Sequence, residues 1–439
     1  MFKETSKELL DFLSKSPTAF HAVENYRQIL NADGFKELLE SEHWDIVPGG
    51  KYYVTRNNTS ILAFKVGTKL DNYSFNIVTS HTDSPTFKVK ENAEIEVKNK
   101  YTQLNTEGYG GMLCATWLDR PLSIAGRVLV SEGNSIVTKL LNIDRDLLMI
   151  PNVAIHMNRA ANDGFKYNLQ VDMLPLLSGG DDRQKDFKQI IADELGVKKE
   201  DILGHDLYLY NRMAPSIWGA NEEFISSGHL DDLQCGFASL KALLAGYNDE
   251  SIDIMACFDN EEVGSGTKQG ADSTLLRDTL IRINSALGKT EEDYHRALAS
   301  SFMLSADNAH AVHPNHPEHT DVTNCTYMNE GVVVKSHAGQ KYTSDGVSMA
   351  VVKSLASGAD VPLQYFANRS DKAGGSTLGN IAMAQASMNA VDIGLPQLAM
   401  HSSYETAGIK DTYYAISLMK ALFDSHIQET STHSLEIKR

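Results

Sequence analysis

"IDIMACFDNEEVGSG", residues 252–266, is the stretch on which the reading of this chain turns. A short apolar run from Ile252 to Phe258 closes on Asp259, Asn260, Glu261 and Glu262, then on Gly264 and Gly266. An apolar run of that length, bounded by turn residues, reads as a strand buried on both faces, as in a parallel sheet covered by helices. Glu261 and Glu262 are the anomaly. Adjacent carboxylates repel, and in a strand they would face opposite sides. Nearby cations would remove that objection, and the glycines let the chain turn sharply behind the pair.

The pattern recurs along the chain. "NIVTS" (76–80) is followed by His81, Thr82 and Asp83; "FMLSA" (302–306) runs into Asp307; "PQLAM" (396–400) runs into His401. Four expected strand ends thus each deliver a metal-capable residue, and open α/β sheets bind ligands outside the carboxyl ends of their strands. Asp231, at the start of the helical "LDDLQCGFASLKALLAGY", is a fifth candidate. Carboxylate oxygen with imidazole nitrogen suits zinc, and also cobalt or manganese. One zinc holding all five would be over-coordinated. Two ions sharing one carboxylate would each have three protein ligands and an open position for water. Asp83, two residues after His81, is placed to orient His81 or its neighbourhood. Taken singly, each has a plainer reading: a structural histidine, a solvated Glu–Glu pair, an N-capping aspartate. The coincidence at strand ends carries the inference. His310, His313, His316 and His319 form a further histidine-rich tract, but the interleaved prolines break any regular helix, so these four need not converge.

Around these runs the expected fold class is α/β: a largely parallel-sheet catalytic domain flanked by helices, with an inserted β-rich domain. Residues 1–90 and 229–439 form the discontinuous catalytic domain, and 91–228 the insert. In the insert, "AEIEVKNKYTQL", "SIAGRVLVSEG" and "SIVTKLLNI" alternate apolar and polar residues, the signature of antiparallel strands. "DFKQIIADELG" reads as its one helix. The final "QETSTHSLEIKR" is polar and expected to fray.

Lysine and arginine number 40 against 57 aspartates and glutamates, a formal net charge of −17. That excludes the basic face that nucleic acid or an anionic membrane would need. No apolar run approaches the roughly 18 residues of a membrane span. The N-terminus reads as an amphipathic helix rather than a signal peptide, so a cytoplasmic location is expected. Cys114, Cys235, Cys257 and Cys325 form no CxxC pair and are expected to be reduced.

Several stretches resemble, in order, the motifs of the aspartyl aminopeptidase and yeast vacuolar aminopeptidase I family of dinuclear zinc metallo-aminopeptidases. They are "SPTAFHAV" (16–23), "SHTDSP" (80–85), "YGG" (109–111), "TWLDRPLSIAGRV" (116–128), "PNVAIHMNR" (151–159), "DNEEVGS" (259–265), "SADNAHAVHPN" (305–315) and "MHS" (400–402). The resemblance implies that Asp231 bridges two zinc ions, with His81 and Asp307 completing one and Glu262 and His401 the other. It implies that Glu261 is the catalytic carboxylate, with Asp83 supporting the site. His156 would reach the active site of a neighbouring subunit, and Lys335 and Tyr342, in "KSHAGQKYTSDG", would face the substrate. It also implies a peptide substrate with an acidic first residue, a dimerisation role for the insert, and dimers assembled into a dodecamer. The chain departs from the family pattern at His229–Leu230–Asp231–Asp232, Gly374–Gly375–Ser376–Thr377 and Tyr404. Two departures replace arginines, which leaves neutral first residues open. The alternative from the residues alone is a two-metal hydrolase of another amide or a phosphoester.

Overall fold

A computed structural model describes residues 1–180 and 186–439; residues 181–185, within the expected insert, lie outside the described residues. Ser251–Phe258 forms a strand buried at all eight positions. It is an interior strand of a nine-stranded sheet, with Ser60–Val66 antiparallel on one side and Ser74–His81 parallel on the other. Beyond Ser74–His81, strands Phe302–Ala306 and Asn389–Gly394 continue in parallel. The carboxyl ends of these four parallel strands therefore share one edge, and Phe258 lies beside His81.

Burial on both faces follows from the alternation of side chains. Val78, Met255 and Cys257 face one core, shared with helices Leu230–Ala245 and Asp411–Phe423. Ile77, Ile254 and Phe258 face the other, shared with helices Leu275–Ala286 and Leu378–Gln385. Such fully buried aliphatic side chains each contribute roughly 1.5–3 kcal/mol. The sheet is not purely parallel. Lys51–Arg56 and Ser60–Val66 form a hairpin, and Val332–Lys335 runs antiparallel to Asn389–Gly394.

Three features differ from the sequence reading. Asn389–Gly394 was not expected as a strand; Asn389 and Asp392 interrupt its apolar pattern, and Asp392 is satisfied by Ser305, Thr343 and Thr377. The C-terminal tail does not fray. His426–Ser431 and Ser434–Lys438 form a hairpin whose Ile427, Leu435 and Ile437 pack on the main core. "PQLAM" does not end in the main sheet. Pro396–Leu398 belongs to a separate five-stranded sheet with Ser216–Trp218, Phe224–Ser227, Glu405–Gly408 and Ala309–His310, and His401 sits in the turn after it at φ 66°.

Six strands between Thr86 and Asn211 form an antiparallel sheet with its own core around Phe87, Trp117, Ile124 and Leu207. Its first strand, Thr86–Val97, starts ahead of residue 91; Ser216–Trp218 pairs with Phe224–Ser227, which in turn pairs with Glu405–Gly408. Helix Phe187–Leu195 packs on this sheet, N-capped by Asp186, which accepts from Gln189 N, and ended by Gly196 at φ 64°.

Candidate active site

The strand ends converge as the sheet requires. His81, Asp231, Glu261, Glu262, Asp307 and His401 line one cavity of about 170 Å³, with Lys335, Tyr342, Phe366 and Met400 around it. His156 does not join them; it is exposed in the 151–161 loop. A larger cavity, about 340 Å³, lies on the far side of Asp83 and Tyr109 and contains none of the six.

Asp231 is the pivot. One carboxylate oxygen lies 3.6 Å from His81 Nε2 and the other 3.4 Å from His401 Nε2. Glu262 Oε2 is also 3.4 Å from His401 Nε2. Donors bound to one tetrahedral ion at about 2.0–2.1 Å lie roughly 3.3 Å apart, so these spacings suit shared cations. Two trios have ligand atoms close enough to hold an ion: His81, Asp231 and Asp307, and Asp231, Glu262 and His401. They share only Asp231. A third trio, His81, Glu261 and Glu262, meets the same spacing, and among the described residues it is the one grouping that includes Glu261.

Both imidazoles are held in the tautomer a ligand needs. His81 Nδ1 lies 3.0 Å from the main-chain oxygen of Asp83, and His401 Nδ1 2.8 Å from that of Gly111. A carbonyl only accepts, so each Nδ1 carries the hydrogen and each Nε2 lone pair faces the cluster. Asp231 Oδ1 and Glu262 Oε1 are buried yet have no hydrogen-bond partner. An orphaned carboxylate oxygen is costly in a protein interior, and a metal ion is the partner that would repay it.

The electrostatics agree. Burial raises Glu262, with Asp231 adding to the shift, and burial raises Asp307 despite Lys335. Burial likewise lifts Glu261 to about 8. Burial opposes the charged form of His401, but Asp231 and Glu262 outweigh it and raise its pKa to about 10. Without cations, only protons relieve this concentration of negative charge. Protons and metal ions would thus compete for the same atoms.

Three further carboxylates hold the main chain of these residues. Asp83 was expected to orient His81 or its neighbourhood; its carboxylate lies 3.5 Å from His81 Nδ1, and its two oxygens accept from Glu261 N and Glu262 N at 3.2 Å. Asp232 accepts from His81 N, and Glu405 accepts from both Asp231 N and His401 N. Tyr109 donates to Asp83 at 2.6 Å and accepts from Asn260 Nδ2 at 2.7 Å. The sequence reading assigned no role to Tyr109, Asp232 or Glu405. Tyr109 sits in the quoted "YGG", Asp232 beside Asp231 and Glu405 four residues after His401, but their contacts with Asp83, His81 and Asp231 span 26 to 174 residues, beyond any local pattern. Lys335 is buried, donating to Asn308 O at 2.8 Å, with Asp307 at 3.4 Å.

A model of the aminopeptidase I zinc metalloprotease (M18) family matches residues 12–423. The chain is 48% identical over 425 residues to a probable M18 family aminopeptidase 2 of Clostridium novyi, covering 95% of this chain and 98% of that one. Among solved structures it is similar to a chain in the complex of Ape4 and Nbr1, at TM-score 0.93 and 35% identity over 96% of this chain and 86% of that one. It is also similar to the S. cerevisiae mApe1 dodecamer, at TM-score 0.83 and 28% identity over 96% and 97%. The family match spans the helix-flanked sheet and the intervening antiparallel sheet alike, so the chain belongs to the aminopeptidase I zinc metalloprotease (M18) family and is a metallo-exopeptidase of the hydrolase class.

Proposed function

We propose that the protein removes N-terminal residues from peptides with two divalent ions, most simply zinc, with cobalt or manganese able to use the same donors. His81, Asp231 and Asp307 would hold one ion, and Asp231, Glu262 and His401 the other. The observation that carries this reading is the pair of ligand trios sharing Asp231 alone, with Glu261 in neither. Bound there, the ions would polarise the scissile carbonyl and acidify a water molecule.

The chain's own groups supply the rest. Glu261 takes the proton from the attacking water and delivers it to the leaving amine. Asp83 fixes Glu261 and Glu262 through their main-chain N–H groups, so the two side chains take separate tasks. Tyr342 and buried Lys335 form part of the substrate-side wall. Lys335, among the described residues the one lysine or arginine of that lining, supports an acidic first residue, while Phe366, Met400 and Tyr342 support neutral ones. Among the described residues no arginine lines the cavity to clamp a phosphoester, which favours amide hydrolysis.

Residues 91–228 would serve as the dimerisation domain, with dimers assembled into a dodecamer; the solved S. cerevisiae relative is a dodecamer. Exposed His156 would reach a neighbour's site. A cytoplasmic location is supported by four cysteines that are all free. The test is a panel of reporter substrates with Asp, Glu, Leu, Met or Lys first, with and without chelator. Turnover unaffected by chelator would overturn the metal mechanism; no turnover of Asp or Glu would overturn the acidic preference.

A further inference from the structure

The histidine tract outside the catalytic cavity is ordered in a way its sequence did not suggest. His316 N donates to His313 O, and His319 N to His316 O. Successive i→i+3 turns eclipse side chains three apart, as in a 3₁₀ helix. The imidazoles of His313, His316 and His319 accordingly form a column, with centroids 5.5 and 5.2 Å apart and the upper two rings 11° from parallel. Pro314 and Pro317 fix the backbone between them. Arg369 donates to the main-chain oxygen of Glu318, and Thr320 Oγ1 to that of Pro317.

This column presents a second set of metal donors. His316 Nδ1 is 3.1 Å and His319 Nε2 3.7 Å from the same oxygen of Glu318. These values bracket the roughly 3.3 Å between donors on one tetrahedral ion. Two imidazole nitrogens and one carboxylate oxygen form a donor set that catalytic zinc sites also use, and here water can complete the shell because all three side chains are more than half exposed. His310 upstream lines the catalytic cavity, but none of these three donors does.

We propose that His316, Glu318 and His319 form a surface site for a borderline divalent cation such as zinc, separate from the catalytic centre. Being exposed, it exchanges its ion faster and holds it more weakly than the buried cluster. The proposal does not depend on the peptidase mechanism.

The experiment uses the assembled enzyme, loaded with zinc in its catalytic centre and desalted, then titrated calorimetrically with zinc near neutral pH. The expected result is one further equivalent per chain. That equivalent should vanish in the His316→Ala/His319→Ala double variant and in His319→Gln, which keeps the loop's bulk, while peptidase activity stays at the wild-type level. No additional equivalent in the wild type, or the same uptake in both variants, overturns the site.

Discussion

Glu261→Gln separates the two adjacent glutamates. The substitution keeps the side chain's size and removes its negative charge and its ability to carry a proton. Among the described residues, none donates a hydrogen bond to the Glu261 carboxylate, so the amide leaves no protein partner unsatisfied and folding should be nearly unaffected. A positioned general base contributes about 10²–10⁴ in rate. At about 1.36 kcal/mol per decade, its loss raises the barrier by roughly 3–5 kcal/mol. The expected outcome is a fall of that size in kcat, little change in KM, and unchanged zinc content after desalting. Glu262→Gln should behave differently. Its Oε1 has no hydrogen-bond partner and its Oε2 faces His401, so that variant should lose bound metal along with activity. Reporter-peptide kinetics and elemental analysis of the same samples decide the matter. Metal loss from Glu261→Gln with retention in Glu262→Gln would mean that the two roles are exchanged. Less than a tenfold fall in kcat for Glu261→Gln would remove it as the proton carrier.

Tyr109→Phe deletes the donor to Asp83 and the acceptor for Asn260, a loss of about 1–3 kcal/mol; kcat should fall about tenfold or more with metal content retained, and an unchanged kcat would show that the tyrosine merely fills space. Gly394→Ala would place a Cβ 2.1 Å from Asp307 O and 2.9 Å from Lys335 Cε, so the Asp307 strand end must move; zinc content should drop, and a fully loaded variant would refute the tightness of that contact. Zinc affinity should rise with pH between about 5.5 and 8, because Glu262 and Asp307 are raised and His401 sits at about 10, so the ion must displace protons whose hold weakens as pH rises. Each displaced proton adds up to about tenfold per pH unit, readable by chelator competition, and flat or falling affinity would contradict the ligand set.

The parallel core was legible because its strands are continuous apolar runs. Ser251–Phe258 and Phe302–Ala306 have no buried-versus-solvent alternation to obscure them, and each ends on the polar residue that the sheet then presents. Asn389–Gly394 was illegible for the opposite reason: a buried aspartate with three hydroxyl donors looks polar in sequence and is apolar in effect. His401 was legible as a candidate but not in its placement, since Pro396–Leu398 has the composition of a core strand yet pairs with Ala309–His310 and Glu405–Gly408. The donors proposed for the metals could be named because metal chemistry restricts residue type. The groups that hold them could not, because a main-chain N–H is identical at every position and any carboxylate can accept from it.

That second layer changes how the antiparallel insert relates to the catalytic half. Tyr109 ends its Tyr101–Tyr109 strand and Gly111 comes two residues later, and they act on different members of the cluster. Tyr109 fixes the carboxylate that holds Glu261 and Glu262; Gly111 O fixes the tautomer of His401. Leu113 N donates to His401 O, and Thr116 Oγ1 accepts from Ser403 N, so the His401 turn is tied to the same stretch of insert. This turn carries His401 at φ 66°, an unfavourable conformation for a histidine that persists only where neighbours determine it. The insert is therefore part of the device that holds the site's geometry, and a displacement of its first hairpin would reach Asp83 and His401 together.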